Sequence, residues 1–417
     1  MSRAAGPRAG PTPADPRRAE PDPRDRPRHC MIVYAYYPLA ETRVQREAEA
    51  LVEAGYDVDV ICLRDAADLP RERYRGVEVR RLPMSIDKRS LVHQLLSYVV
   101  FTLRAGALIT RLHRRRPYSS IQAHNLPDFL VFCALIPKLR GTPVIVDLHD
   151  LMPEFFAGRF GGRGRWVLQL VRFQERLSCW FADRVITVSD GWRRTLISRG
   201  VRAEKIAVVM NVADDRIFTP QPLREPKDGE LRLLYHGTVT RRYGLDLAIR
   251  AVAQLKGELP GLRLTIRGMG DDMAALVELR RELGVESSVE LIDGFVPGVE
   301  LPEILAEADV GVVPYRDDVF TDGLVPTKLM EYAAVGLPCI AAGTTTIREY
   351  FTDTMVEFFT PGDADDLARC IRELALDPER RVELAGRSRA FTERYNWTRL
   401  GAAYVELVEN LAASRVR

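Results

Sequence analysis

Short apolar runs alternate along this chain with longer stretches in which apolar residues recur every three or four positions. Strands are therefore predicted at 31–35, 57–63, 120–124, 143–148, 184–188 and 206–210. Helices are predicted between them at 42–54, 91–113, 126–139, 166–181 and 192–198, while 64–90 is less regular. Residues 213–230 break the pattern. They are polar, carry Pro220, Pro222 and Pro226, and read as an interdomain linker. A second series follows, with strands at 231–235, 263–267, 289–292, 310–313 and 338–341. Its helices fall at 245–256, 272–283, 301–307, 327–334 and 365–374, and a last amphipathic helix near 400–411 has no strand after it. Strands alternating with helices mean parallel strands joined by right-handed crossovers. The fold class is α/β: two doubly wound domains that face one another, with ligands bound in the cleft beyond the strand C-terminal ends.

Composition sharpens this picture. At 417 residues the chain is too long for one ordinary core. The divisions expected are a tail at 1–28, domains at 29–212 and 213–395, and a terminal helical segment at 396–417. The tail is rich in Pro, Arg and Ala with no apolar core segment, so it is expected to be disordered and not a secretory signal. The net charge of +2 hides an asymmetry. Residues 29–210 hold 28 Lys and Arg against 19 Asp and Glu, and residues 211–417 hold 25 against 35. A +9 half joined to a −10 half suggests that the first half meets an anionic surface or ligand. No nucleic-acid partner is expected. Six cysteines without paired or Cys-x-x-Cys spacing read as buried hydrophobes of a reducing compartment, not as metal ligands. The most apolar window, 91–110, carries His93, Gln94 and Arg104 and reads as a buried or membrane-grazing helix.

Candidate chemistry clusters in three places. The stretch Val325-Pro-Thr-Lys-Leu-Met-Glu-Tyr runs from a loop into a helix that carries Lys328 and Glu331 one turn apart. Helix N-terminus and ammonium suit a phosphate, and Glu331 suits a ribose diol. The same spacing also fits an exposed i,i+3 salt bridge. The turn Tyr235-His-Gly-Thr-Val-Thr-Arg-Arg-Tyr-Gly sets Gly237 and Gly244 around the adjacent Arg241 and Arg242, a small diphosphate site or an exposed basic turn. His149 just past one strand end points into the cleft, and His124 ends the neighbouring strand, so two histidine-bearing loops are expected to line one rim. No G-x-G-x-x-G follows the first strand, which argues against a dinucleotide-binding dehydrogenase, and Gly268-Met-Gly270 reads as a tight turn. The pair Asp317-Asp318 lacks the spaced oxygens of a metal site.

Over nearly all of residues 29–411 the chain resembles a family 4 glycosyltransferase of the GT-B fold. The matching stretches are Arg43-Val-Gln-Arg-Glu-Ala with Gly55-Tyr-Asp-Val, His149-Asp-Leu-Met-Pro-Glu154 and Ala182-Asp-Arg-Val-Ile-Thr-Val-Ser189. Asn211 to Phe218, Ala308-Asp-Val-Gly-Val-Val-Pro314 and Pro326-Thr-Lys-Leu-Met-Glu-Tyr to Pro338 continue them in order. The resemblance implies two facing Rossmann-like domains, with the last helix packed back on the first. It implies retaining, metal-independent transfer of a hexose-type sugar from a UDP- or GDP-sugar, without any other cofactor. It places His149 near the donor sugar and Glu331 at the ribose; with Arg241, Arg242 or Lys328 left to meet the phosphate charge, the catalytic set expected is His149, Arg242 and Lys328. The donor-binding set is Gly237, Thr238, Arg241, Asp322, Gly323, Leu324, Thr327 and Glu331.

Two departures stand out. The family usually has Arg after the first turn glycine and Lys before the second, where this chain has Thr238 and Tyr243. Many members carry a first glutamate eight positions before the ribose one, where this chain has Gly323 with Asp322 beside it. The acceptor expected is a polyprenyl-linked glycan or other glycoconjugate; the alternatives are transfer to a soluble natural-product acceptor, or a chain that is itself a non-catalytic GT-B sugar-binding subunit. Arg114-Arg-Arg116 and the segment Phe155-Phe156, Arg159-Phe160, Arg163, Arg165-Trp166 suit peripheral contact with anionic lipid. The location expected is the cytoplasm, with the inner face of the plasma membrane as the surface such contact would use.

Overall fold

The computed structural model describes residues 26–38, 41–86, 90–160, 165–225 and 229–414. Most of the 1–28 tail and Pro226 lie outside the described residues, and the first strand already begins at Arg28, with its side chain buried.

Eight strands make the first sheet: β1 (Arg28–Tyr36), β2 (Asp57–Leu63), β3 (Arg71–Tyr74), β4 (Val77–Leu82), β5 (Ser120–His124), β6 (Val144–Leu148), β7 (Arg184–Thr187) and β8 (Ile206–Val208). Their order is β3-β4-β2-β1-β5-β6-β7-β8, and only β3 runs antiparallel to its neighbour. The second sheet holds β9 (Glu230–His236), β10 (Gly261–Gly268), β11 (Val289–Asp293), β12 (Val310–Val313), β13 (Cys339–Ala342) and β14 (Glu357–Phe359). It is wholly parallel, in the order β11-β10-β9-β12-β13-β14. The central strands are buried on both faces, as sheets covered by helices on each side must be.

The terminal helix Trp397–Ala413 returns to the first domain, where Tyr404 Oη donates to Gln122 Oε1 at 2.7 Å. Asn396 caps it through Arg399 N–H, so it starts three residues before the apolar stripe that marks it in the sequence.

Several elements differ from expectation, among them the strand β14 and the helix Thr345–Tyr350, neither of which was expected. The irregular stretch at 64–90 holds the edge pair β3 and β4, where charged side chains alternate outward and blunt the edge. The helix expected at 126–139 is a 3-10 segment, Asp128–Ala134, followed by a short helix, Leu135–Leu139. Pro137 has no N–H to give the carbonyl four residues back, so α geometry restarts with Pro137 in its first turn. The helices Met152–Phe160 and Pro378–Arg394 also form where none was expected, the second capped by Asp377. The strand expected at 206–210 ends at Val208.

Candidate active site

The C-terminal ends of both sheets meet across one cleft. On the first-domain side, β6 delivers Asp147 and then His149. Arg43, buried in the helix Thr42–Glu53, grips Asp147 with Nε at 2.7 Å from Oδ2 and Nη2 at 3.1 Å from Oδ1. His124 Nδ1 lies 3.0 Å from the same Oδ2. Burial opposes ionisation of Asp147, yet the Arg43 guanidinium and the His124 contact hold its carboxyl well below the usual range.

His149 is half-buried, with Nδ1 3.9 Å from Asp147 Oδ2, an ion-pair separation and not a hydrogen bond. Burial disfavours its cation, but Asp147 and the nearby Asp150 and Glu41 push its pKa up to about 9, so it is charged at neutral pH. The Asn125 side chain accepts from His149 N–H at 3.2 Å and Asp150 N–H at 3.4 Å, which fixes the turn. His124, expected on the rim, is instead fully buried beneath it, because its ring is the partner of Asp147. Ligand atoms of His124, Asp147 and His149 fall within 4.8 Å of one another, but the guanidinium on both Asp147 oxygens opposes a metal cation there.

On the second-domain side, β9 runs into the exposed Gly237 and Thr238. Gly244 adopts φ +64°, and a β-carbon there would stand 2.0 Å from Pro314 O, so the turn closes only with glycine. Lys328 opens the helix Thr327–Val335, is buried, and reaches back to this turn. Its ammonium donates to Tyr315 Oη at 2.8 Å and lies 4.9, 5.1 and 5.0 Å from the ring centres of Tyr235, Tyr243 and Tyr315. Nζ is 3.8 Å from where a β-carbon at Gly237 would be. The exposed Lys328–Glu331 salt bridge that the spacing left open does not form. Tyr243 stacks on Tyr315 with centroids 4.3 Å apart, walling the ammonium in. Burial lowers the Lys328 pKa to about 8 despite Glu331.

Glu331 Oε2 lies 3.2 Å from His236 Nε2, but neither atom has an aligned hydrogen-bond partner. Burial, with the Lys328 charge, drives His236 down to about 3, and burial raises Glu331 to about 7 against the pull of Lys328 and Arg46. The histidine is therefore neutral, and Glu331, part acid and part carboxylate near pH 7, is left for a ligand.

The two turn arginines separate. Arg242 lies 4.9 Å from the Phe320 ring centre and 5.6 Å from that of Phe155, and its buried Nη1 has no partner. Burial raises the nearby Asp150 to about 6 against the pull of His149 and Arg242. Arg241 is exposed, and its charge reaches Asp246 and Asp272 on the outer side of the turn. Other expected donor contacts already have structural work. Asp322 Oδ1 accepts from Thr345 N–H at 2.7 Å, Leu324 packs on the first-domain core, and Gly323 lies under the Trp192 ring. Thr327 is exposed at the helix start. Asp318 Oδ1 accepts from Phe320 and Thr321 N–H.

Phe155, expected at a membrane, packs on Phe320 across the cleft at 5.5 Å, and Arg116 pairs with Asp57 at 2.5 Å. Arg163 lies outside the described residues, as do the side chains of Arg159, Phe160 and Arg165. Sequence reasoning assigned no role to Asp147, Asn125, Trp192, Tyr315 or His236. It quoted Arg43 only as part of a matching stretch.

Comparison with known proteins agrees with the two-domain α/β fold. Residues 40–211 match the model of a glycosyl transferase 4-like domain, and 218–391 that of glycosyl transferases group 1. The amylovoran biosynthesis glycosyltransferase of Erwinia amylovora is 32% identical over 55% of this chain and 57% of its own, so the chain spans little more than half of that relative. A glycogen synthase of Mycobacterium tuberculosis is 26% identical over 93% of this chain and 95% of its own. Among solved structures, sucrose-phosphate synthase from Thermosynechococcus elongatus superposes with TM-score 0.74 at 19% identity, covering 93% of this chain and 100% of that one. Anabaena HepE in complex with UDP-glucose gives 0.68 at 17% identity, covering 92% and 99%.

Proposed function

The chain belongs to the family 4 glycosyltransferases of the GT-B fold, and on that premise we propose that it moves a hexose-type sugar, with retention, from a UDP- or GDP-sugar to an acceptor held by the first domain. The observation that carries this reading is the set of buried, unpartnered polar atoms in the cleft: Glu331 Oε2, His236 Nε2 and Arg242 Nη1, beside the walled-in Lys328 ammonium. Buried polar groups without partners mark places that a ligand completes. A nucleotide sugar would place its ribose diol on Glu331 and its diphosphate between Lys328, Arg242 and the start of the helix Thr327–Val335. Gly237, Thr238 and Thr327 would line its path, and the His149 cation would face the donor sugar from the other domain.

In the transfer step the bond from the anomeric carbon to the diphosphate oxygen breaks, and the acceptor oxygen bonds to that carbon on the same face. The acceptor proton passes to the departing phosphate oxygen. Arg242 and Lys328 stabilise the charge that grows on the diphosphate, the role left open by Thr238 and Tyr243. No metal or further cofactor enters this scheme.

The acceptor favoured is a polyprenyl-linked glycan or other glycoconjugate, in line with the polysaccharide relative above. Six free, buried cysteines suit the cytoplasm. Titration with UDP and GDP, followed by NMR of donor turnover, tests the proposal. Binding of one nucleotide with slow release of sugar in the donor's own anomeric configuration supports it. Binding without turnover favours a non-catalytic subunit, the reading that Thr238 and Tyr243 raise. No binding of either nucleotide overturns both.

A further inference from the structure

Large apolar side chains gather on one outer face of the first domain. Of the 21 that are exposed among the described residues, 13 lie on three elements covering one side of the first sheet. On the helix Leu91–Arg115 they are Val92, Leu95, Leu96, Val99 and Leu103. The neighbouring helix Leu135–Leu139 adds Leu135, Ile136 and Leu139. Along the helix Arg165–Phe181, Trp166, Leu170, Phe173, Leu177 and Trp180 recur at helical spacing on one side. The helices Leu91–Arg115 and Arg165–Phe181 are anchored in the core on their opposite sides by Phe101, Ala105, Ile109, Cys179 and Phe181. The helix Leu91–Arg115 is long and apolar enough to cross a bilayer, but its attachment to the sheet lays it along the surface.

The charges on this face have one sign. Arg104, Arg111, Arg114, Arg115, Arg172 and Arg176 are exposed, whereas Glu175, the carboxylate carried by these three helices, is buried, as is Asp128 on the adjoining 3-10 segment. A groove of about 720 Å³ is lined by Leu103, Gly106, Phe132 and Ile136 together with Arg111, Arg114 and Arg115, apolar and cationic groups that suit an acyl chain with its phosphate. A second copy of the chain docked here would set arginines against arginines. A bilayer of anionic lipid supplies the opposite charge, and tryptophans at both ends of one helix suit the headgroup boundary.

We infer that this face docks on an anionic phospholipid bilayer, with its aliphatic rows in the acyl boundary and its arginines on the phosphates. The face stands apart from the donor site, and the sugar-transfer reading enters only in what the bilayer would deliver. The first turns of the helix Leu91–Arg115 lie beside the cleft, since Ser97 Oγ is 2.6 Å from Tyr34 Oη on β1. A lipid-linked acceptor would thus arrive at the rim.

The full chain would be sedimented with vesicles of phosphatidylglycerol and phosphatidylcholine, and with phosphatidylcholine alone. Expected is binding to the anionic vesicles at low salt that falls at least ~10-fold at ~0.5 M salt or on the neutral ones. Indole emission should shift to the blue on binding through Trp166 and Trp180, because Trp192 and Trp397 are already buried. Replacing the exposed Leu96, Leu103 and Phe173 together with Ser should lower partition at least ~10-fold while leaving nucleotide titration unchanged. Absence of binding at low salt would overturn the inference. So would partition unchanged in the triple variant, or a solution dimer whose indole emission vesicles do not alter. Nucleotide titration of the same sample reports separately on the transferase reading.

Discussion

Trp192 of the first domain occupies the space that a side chain at Gly323 of the second would need. A β-carbon at Gly323 would stand 2.0 Å from the indole Nε1, which is buried and has no hydrogen-bond partner. The Phe320 ring lies 6.4 Å from Trp192, and the Asp190 N–H donates to Tyr350 Oη at 2.9 Å nearby. The domains therefore interlock where the resemblance to the family places a glutamate.

This interlock makes Gly323→Ala costly. The added methyl must displace a buried indole, an overpacking expected to cost about 1–3 kcal/mol, or the domains must part. Thermal unfolding and small-angle scattering read the two responses. In a Trp192→Leu background the same change should be nearly neutral. Unchanged melting and unchanged radius of gyration in the single variant would discount the interlock.

The arginine pair gives an asymmetric expectation. Arg242 is held between Phe155 and Phe320 with one buried nitrogen free, so Arg242→Ala should lower kcat/KM by at least ~10²-fold. Arg241 is exposed, and exposed charges contribute little, so Arg241→Ala should lower it by less than ~3-fold. Equal losses would show that the turn rearranges when donor binds.

Beneath the rim, Arg43→Met would leave the Asp147 charge buried without its main partner. Breaking such a pair typically costs about 3–5 kcal/mol. Because the folded Asp147 carboxyl titrates below its unfolded value of about 3.9, its stabilisation is present above that pH. It is lost as pH falls through the lower folded value. Denaturant midpoints measured down to pH 2 should therefore slope less steeply in the variant. A loss under 1 kcal/mol would make the ion pair incidental.

The strands were legible in the sequence because each is a short apolar run with polar borders, and the two-domain α/β fold followed from their alternation. The edge pair β3 and β4 was not, since half its side chains are charged and face solvent, and neither was β14, a run of only three residues. The site was legible where one local segment carries the chemistry, as with Lys328 and Glu331 on one helix. It was illegible where partners come from distant segments. Arg43 and Asp147 are 104 positions apart, and nothing local in either segment announces the other. Arg241 and Arg242 could not be told apart because their difference is a turn geometry. Trp192 carried no signal at all, since its role depends on a missing side chain in the other domain.

Glu331→Ala should weaken binding of the preferred nucleotide by about 1.5–3 kcal/mol, the scale of a charge-assisted hydrogen bond. Burial raises the Glu331 pKa to about 7, so the free site holds a mixture of acid and carboxylate at neutral pH. Only the carboxylate accepts from both ribose hydroxyls, and affinity should therefore fall as pH drops below 7. The folded form binds more protons than the unfolded one between pH 4.3 and 7, so this group's contribution to stability declines as pH rises across that window. Calorimetric titration at pH 6 and 8 checks the ligand effect. Equal affinity at both values, in wild type and variant alike, would remove Glu331 from the ribose.

Lys328 stands where two demands oppose each other. Its ammonium is buried among Tyr235, Tyr243 and Tyr315, which lowers its pKa to about 8, yet the proposed chemistry needs the charge. Between pH 8 and the unfolded value near 10.4, the unfolded chain binds more protons than the folded one, so stability rises with pH in that window. Catalysis should run the other way. kcat/KM should fall above pH 8 as the ammonium loses its proton, and Lys328→Met should be slow at every pH, by at least ~10²-fold. Tyr243 occupies the position where family members usually carry lysine, and its ring borders the same ammonium. If Lys328 supplies the charge lost from that position, adding Tyr243→Lys to Lys328→Met should recover at least ~10-fold of the lost rate. A wild-type profile that stays flat to pH 10, together with no recovery in the double variant, would mean that the diphosphate is stabilised elsewhere and leave Arg242 to act without it.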